Sequence, residues 1–203
     1  MAVVSGGTTL IDNGALDPAV PSGKLTLLST QTASASASIS FTSGIDSTYD
    51  SYVFKFINCH PSNNAVSFQF QGSINGGSSY GVTITSTMFE AYHTEAGASG
   101  RLIYRTIGDL AQSTSFQELS GVADGIKNDN DASCSGYIHI FNPSDTTFVK
   151  HWIANFNNLT ASDATYNIYS AGYFNDTNDI DAFKFQMSSG NIDSGDICLY
   201  GIA

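Results

Sequence analysis

Apolar and polar residues alternate along most of the chain after residue 24. In the clearest segments, 33–41, 66–70 and 183–187, hydrophobic side chains recur at every second position with Ser, Gln or Lys between them. Successive side chains of a β-strand point to opposite faces, so this period of two is typical of strands with one buried face. Further strands are predicted over 24–29, 51–58, 81–92, 101–105, 135–142, 147–157, 165–174 and 196–202.

Turn-forming residues separate these segments, as at Asn75-Gly76-Gly77 and Asn142-Pro143-Ser144. Many half-polar strands joined by turns predict an all-β fold, an antiparallel two-sheet β-sandwich of jelly-roll type. One helix candidate, 109–119, is kept as an alternative for a single short element. Trp152 shares its strand parity with Phe148 and Phe156, which favours the core. The side chains predicted to form the core are Ile39, Phe41, Val66, Phe68, Phe70, Phe183 and Phe185.

The first 23 residues differ from the rest, because Gly, Asp and Pro interrupt two short apolar patches. Such a segment cannot bury a core by itself. We therefore divide the chain into an extended N-terminal arm, 1–23, and a β-sandwich domain, 24–203. The arm is either a frayed terminus or a device that pairs with a neighbouring subunit. In the second case the partner-binding residues are Val3, Val4, Leu10 and Ile11.

Charge narrows the range of partners. The net charge is −11, from 18 acidic and 7 basic residues, and only 12% of the chain is charged. Phosphate backbones and anionic membrane surfaces repel such a protein, so neither nucleic acid nor membrane is an expected partner. No apolar run approaches the ~18 residues of a membrane span, and the N-terminus lacks the basic and apolar regions of a signal peptide.

Candidate chemistry is sparse. His60, His93, His139 and His151 do not have the spacing of a zinc site, although His139 and His151 fall in adjacent predicted strands. The acidic runs 124–131 and 175–181 could offer oxygen ligands to calcium but lack the EF-hand pattern. No nucleophile elbow or phosphate loop is present. We expect no catalytic residues, no metal and no cofactor, and three reduced, buried cysteines: Cys59, Cys134 and Cys198.

Several long segments are similar to a family of virion proteins encoded by tailed bacteriophages of marine bacteria. The resemblance covers most of the chain from about Lys24 to Ile202. It rests on FTSGIDSTYDSYVFKFINCHP (41–61), GGSSYGVT (76–83), DLAQSTSFQ (109–117), SGYIHIFNPSDTTFVKH (135–151), AGYFN (171–175) and MSSGNIDSGDICLYGI (187–202). Similar chains decorate capsids or belong to tail fibres.

The resemblance implies a virion protein that acts by contact and not as an enzyme. The function it favours is capsid decoration, in which the chain binds the outside of the assembled shell through the major capsid protein. A homotrimer is expected, because quasi-threefold junctions favour a symmetric binder. The alternative is a receptor- or carbohydrate-binding module of a tail fibre, and a glycan-active enzyme comes third.

Overall fold

The computed structural model describes residues 3–12, 15–16 and 25–202. Strands account for nearly all regular structure in these ranges, and the helical part is a single 3₁₀ turn, Thr106–Gly108. In the described ranges no helix is long and apolar enough to cross a membrane. The strands are Val3–Ser5 (β1), Thr8–Asp12 (β2), Ala15–Leu16 (β3), Leu25–Thr32 (β4), Ile39–Phe41 (β5), Ser51–Pro61 (β6), Phe68–Ser73 (β7), Ile84–Thr94 (β8), Gly100–Tyr104 (β9), Gln117–Ser120 (β10), Cys134–Phe141 (β11), Lys150–Leu159 (β12), Ala164–Phe174 (β13), Ala182–Met187 (β14) and Ile192–Ile202 (β15).

Two antiparallel sheets form the domain, which confirms the predicted β-sandwich. The larger sheet has eight strands in the order β4-β15-β6-β11-β12-β13-β8-β9, and the smaller has four in the order β10-β7-β14-β5. Strands that are distant in the sequence lie side by side, as β15 does between β4 and β6. The chain therefore crosses repeatedly between the two layers.

Aromatic side chains fill the space between the sheets. Phe54 and Phe56 of the larger sheet meet Phe185 of the smaller one edge to face, at centroid distances of 4.9 and 5.0 Å. Phe70 meets Trp152 in the same way at 5.1 Å. Such edge-to-face pairs add to the free energy of burial itself. All seven predicted core residues, from Ile39 to Phe185, are buried, and so is Trp152.

The segment 33–41 corrects the prediction from strict alternation. Only Ile39–Phe41 forms a strand, and Ala35 and Ala37 are exposed. Ala35 has a left-handed backbone with φ of 50°, which interrupts an extended strand. The chain leaves β4 of the larger sheet here and enters β5 of the smaller one. A crossover between layers, and not one long strand, explains the small side chains.

The alternative prediction of a helix over 109–119 is wrong. Gln112 has a left-handed backbone with φ of 52°. The backbones of Ser113 and Ile84 exchange two hydrogen bonds of 2.8 and 3.0 Å, and the segment ends in β10. Pairing with two neighbouring strands thus replaces local helical hydrogen bonds.

The alternation pattern predicts that Phe148 lies on the buried side of its strand together with Trp152, but Phe148 is exposed. β12 begins only at Lys150, so the alternation does not reach back to Phe148. The side-chain oxygen of Asp145 accepts hydrogen bonds from the backbone N–H groups of Thr147 and Phe148, which holds this stretch as a turn.

A second, smaller core lies beneath β8 and β13. Met88 and Ile168 pack there with Val122 from the loop after β10. Glu90 is fully buried in the same layer and forms an ion pair with Arg105. Burial raises the pKa of Glu90, and the hydrogen bond from Arg105 opposes that shift.

Candidate interaction face

The four residues predicted to bind a partner lie in a small antiparallel sheet formed by β1, β2 and β3. Val3 and Val4 are exposed, at 50% and 56% of the surface of the whole residue. Leu10 and Ile11 lie in β2, where Ile11 is opposite Val3 and Leu16, and the surroundings of their side chains are outside the described residues. The arm strands therefore pair with one another, and their contact with a partner stays a prediction.

A second candidate surface is the side of the larger sheet that faces away from the smaller sheet. We call it the outer face. On six neighbouring strands, its positions alternate with the buried ones. They are 53, 55 and 57 of β6, 135, 137, 139 and 141 of β11, 151, 153, 155 and 157 of β12, 165, 167, 169, 171 and 173 of β13, 85, 87, 89, 91 and 93 of β8, and 102 and 104 of β9.

The outer face is poor in acidic residues. None of the positions given above on these six strands is Asp or Glu, although the chain has 18 acidic residues. Asp196 of the neighbouring strand β15 lies opposite Ile57 on the same side of the sheet. Lys55 is its one lysine, and the Lys55 ammonium lies 5.2 Å from the centre of the Tyr200 ring. Three of the four histidines, His93, His139 and His151, also lie on this face. The face is therefore close to neutral on a strongly acidic protein.

Three aromatic side chains form a ridge on the outer face: Phe89, Tyr169 and Tyr104. The rings of Phe89 and Tyr169 stack nearly parallel, with centroids 5.1 Å apart. Tyr104 lies directly opposite Phe89 on β9, and all three side chains are exposed. Solvent-exposed aromatic groups in contact with one another are typical of protein interfaces.

A groove lies beside this ridge on the same strands. It has a volume of about 410 Å³, with Ala171 and Ile153 between walls that include Phe141 and Tyr173. A smaller depression of about 140 Å³ continues from it toward Phe89. The ridge and the groove are therefore adjacent parts of one apolar surface.

The polar side chains of the outer face are occupied by one another. Asn155 donates to the side-chain oxygen of Asn167 at 2.8 Å, and Asn167 donates to the hydroxyl of Tyr169 at 3.2 Å. A ring nitrogen of His139 lies 2.9 Å from the hydroxyl of Ser51. Burial lowers the pKa of His139, which favours its neutral form. These groups are satisfied within the face. The side chains of Tyr137, Tyr173, His93 and His151 make no hydrogen bond to other described residues.

The structure does not bring the predicted metal-ligand candidates together. His139 lies opposite Ile153 and packs on Phe141, whereas His151 packs on Tyr173. Among the described residues, no three His, Cys, Asp or Glu side chains are grouped as metal ligands would be.

The acidic loops have structural partners of their own. Asp129 forms an ion pair with Lys127 at 3.0 Å, and Asp176 accepts hydrogen bonds from the backbone and side chain of Asn178. The buried ammonium of Lys150 donates to the carbonyl oxygens of Phe148 and Asp176, at 3.0 and 3.3 Å. A side-chain cation therefore links the loop 175–181 to the turn before β12.

Cys59, Cys134 and Cys198 are all buried and free, which confirms the sequence prediction. Cys59 lies opposite Cys134 on the neighbouring strand. A hydrogen bond with Cys59, together with burial, raises the pKa of Cys134 well above its usual range. A thiol held in its neutral form is a poor nucleophile.

No family model matches the chain, and neither a curated protein nor a solved structure matches it. The resemblance to phage virion proteins therefore remains a prediction from the sequence.

Proposed function

We propose that the chain is a capsid decoration protein of a tailed phage, which binds the outside of the assembled shell and stabilises it through protein–protein contacts. The virion location comes from the sequence resemblance. The structural observation that carries the proposal is the presence of two separate exposed apolar surfaces, the arm and the outer face, on one acidic β-sandwich. A cement protein needs two such surfaces, because it must hold more than one neighbour.

The arm is the proposed attachment device to the major capsid protein. Val3 and Val4 expose apolar surface, which costs about 1.5–3 kcal/mol for each side chain that could otherwise be buried. Short paired strands can join the edge of a partner sheet and satisfy their backbone groups there. A partner that binds only the assembled shell stabilises it by about 2.7 kcal/mol per site at a hundredfold excess over Kd.

A tail-fibre module that binds carbohydrate is the second candidate. The groove favours it, because the aromatic rings of Phe141 and Tyr173 line an open depression. Against it, the nearby amides of Asn155 and Asn167 already hydrogen-bond to each other. A sugar site needs polar groups that are free to fix the orientation of the ligand.

Sedimentation of the purified chain with isolated phage heads and with isolated tails tests the proposal. We expect the chain to pellet with heads and not with tails. Deletion of residues 2–12, or the pair Val3→Asp and Val4→Asp, should abolish pelleting, whereas Ile107→Asp on an exposed turn serves as the control. Pelleting with tails alone, or full occupancy by the truncated chain, would contradict the proposal.

A further inference from the structure

We propose that the outer face is an interface between two copies of this chain, related by a twofold axis. The inference does not depend on the virion role, because it rests on the shape, the charge and the hydrogen bonds of the face itself. A twofold dimer is an alternative to the homotrimer expected for a capsid junction. It also assigns an occupant to the exposed ridge of Phe89, Tyr169 and Tyr104.

The distribution of charge favours a second copy on this face. Each chain has a net charge of −11, so copies repel one another at most orientations. Like charges that meet in a contact disfavour it strongly. The six strands of the face carry no Asp or Glu at their outward positions, so the acidic groups at such a contact are confined to its edge. They are Asp196 of β15 and Asp109, which accepts a hydrogen bond from the hydroxyl of Tyr104. Lys55 adds one positive charge to the face, where it lies over the Tyr200 ring.

The hydrogen-bond inventory favours an apolar protein surface over a sugar or a peptide strand. Asn157 donates to the hydroxyl of Thr165 at 2.9 Å, and Asn155 and Asn167 are likewise paired. Burial of these paired amides leaves their bonded atoms with a partner, so their own desolvation costs little. Phe89, Tyr169 and the groove lie on strands that already pair on both sides, whereas Tyr104 lies on the edge strand β9.

The ridge and the groove of the outer face match, in position, the groove and the ridge of a second copy. The ridge includes Phe89 of β8 and Tyr169 of β13, and the groove lies on the same two strands at Thr85 and Tyr173. A twofold axis that crosses the strands between ridge and groove places Phe89 and Tyr169 of each copy over the Thr85–Tyr173 end of the other copy's groove. A cavity of about 150 Å³ holds one benzene-sized group. The groove, at about 410 Å³, therefore accommodates two aromatic rings.

The size of the face is that of a stable interface. Six strands have five intervals of about 4.8 Å and span about 24 Å, and eight residues of β11 extend about 27 Å. The product, about 650 Å², lies within the roughly 600–1,000 Å² that each partner buries in a standard complex. Face-to-face contact of sheets is also the packing mode inside β-sandwiches.

Sedimentation equilibrium of the full chain tests the inference. The chain mass is 21.5 kDa, so a dimer has twice that mass. Phe89→Asp and Ile153→Asp should each raise the dimer dissociation constant at least about tenfold, as loss of a central contact does. Ile107→Asp, at an exposed isoleucine outside the face, should leave it unchanged.

Thermal unfolding of each variant shows whether it is folded, and the milder Phe89→Ser replaces any variant that is not. Dimers that dissociate only in the face variants support the inference. A wild-type monomer, a mass of three chains, or a dimer insensitive to both face variants overturns it. None of these results depends on binding to phage heads, so the two proposals can fail separately.

Discussion

The rings of Phe89 and Tyr169 stack at a centroid distance of 5.1 Å, with an interplanar angle of 9°, on the solvent side of the larger sheet. The two residues lie directly opposite each other on β8 and β13, so the register of the sheet sets this contact. Both side chains are exposed, and their fixed geometry lowers the entropy lost when a partner covers them. The ridge is thus organised before binding.

Truncation of the central aromatic core should destabilise the fold strongly. Phe185 is fully buried among rings of both sheets, so Phe185→Ala should lower the free energy of unfolding by about 3–5 kcal/mol. Phe148→Ala is the matched control, because Phe148 is exposed and should change stability by about 0.5 kcal/mol or less. Urea denaturation measures both. Equal effects of the two changes would mean that the described packing is wrong.

The buried ion pair should show strong coupling. Arg105→Met leaves the buried carboxylate of Glu90 without its partner and should cost about 3 kcal/mol of unfolding free energy. Adding Glu90→Gln removes the charge and should recover most of that loss. A double-mutant cycle by chemical denaturation measures the coupling. Additive effects of the two changes would contradict an energetically important pair.

Acid should weaken the fold through His139. Burial lowers the pKa of His139 in the folded state, so its contribution to stability is present above the unfolded value near 6.5. The contribution is lost as the pH falls through the lower, folded value. His139→Gln should therefore unfold at a temperature less dependent on pH than the wild type between about pH 7 and 5. His93→Gln, on an exposed position of the same face, is the control. Parallel curves for the wild type and His139→Gln would refute this assignment.

Removal of divalent metal should leave the fold unchanged. The acidic loops are held by Asp129–Lys127 pairing and by the Lys150 ammonium, so their order does not need a bound ion. We expect the same melting temperature with and without EDTA. A fall of several degrees that added calcium reverses would show that one of these loops binds calcium.

The period of two predicted most of the strands, because it follows directly from the pleat. It did not reveal where the chain changes sheets. Residues 33–41 alternate perfectly in sequence, yet Ala35 turns left-handed and the chain crosses to the other layer. Nor did it predict the backbone conformation of 109–119, which is determined by contacts with β8.

The outer face was only partly visible in the sequence. Tyr169 and Tyr173 lie on the same side of β13, but alternation alone does not tell whether that side meets the solvent or the core. The missed signal is the absence of acidic residues at alternate positions of four separate segments, 85–93, 135–141, 151–157 and 165–173. These positions can be recognised as one surface only when the strand order β11-β12-β13-β8 is known.

The most direct test of the decoration role is the position of the protein on the virion. Electron cryomicroscopy of the phage that encodes the chain, with and without its gene, gives a difference map of the particle. The account predicts difference density on the outside of the head, at the junctions between capsomers. Density at the tail tip, with an unchanged head, would contradict it.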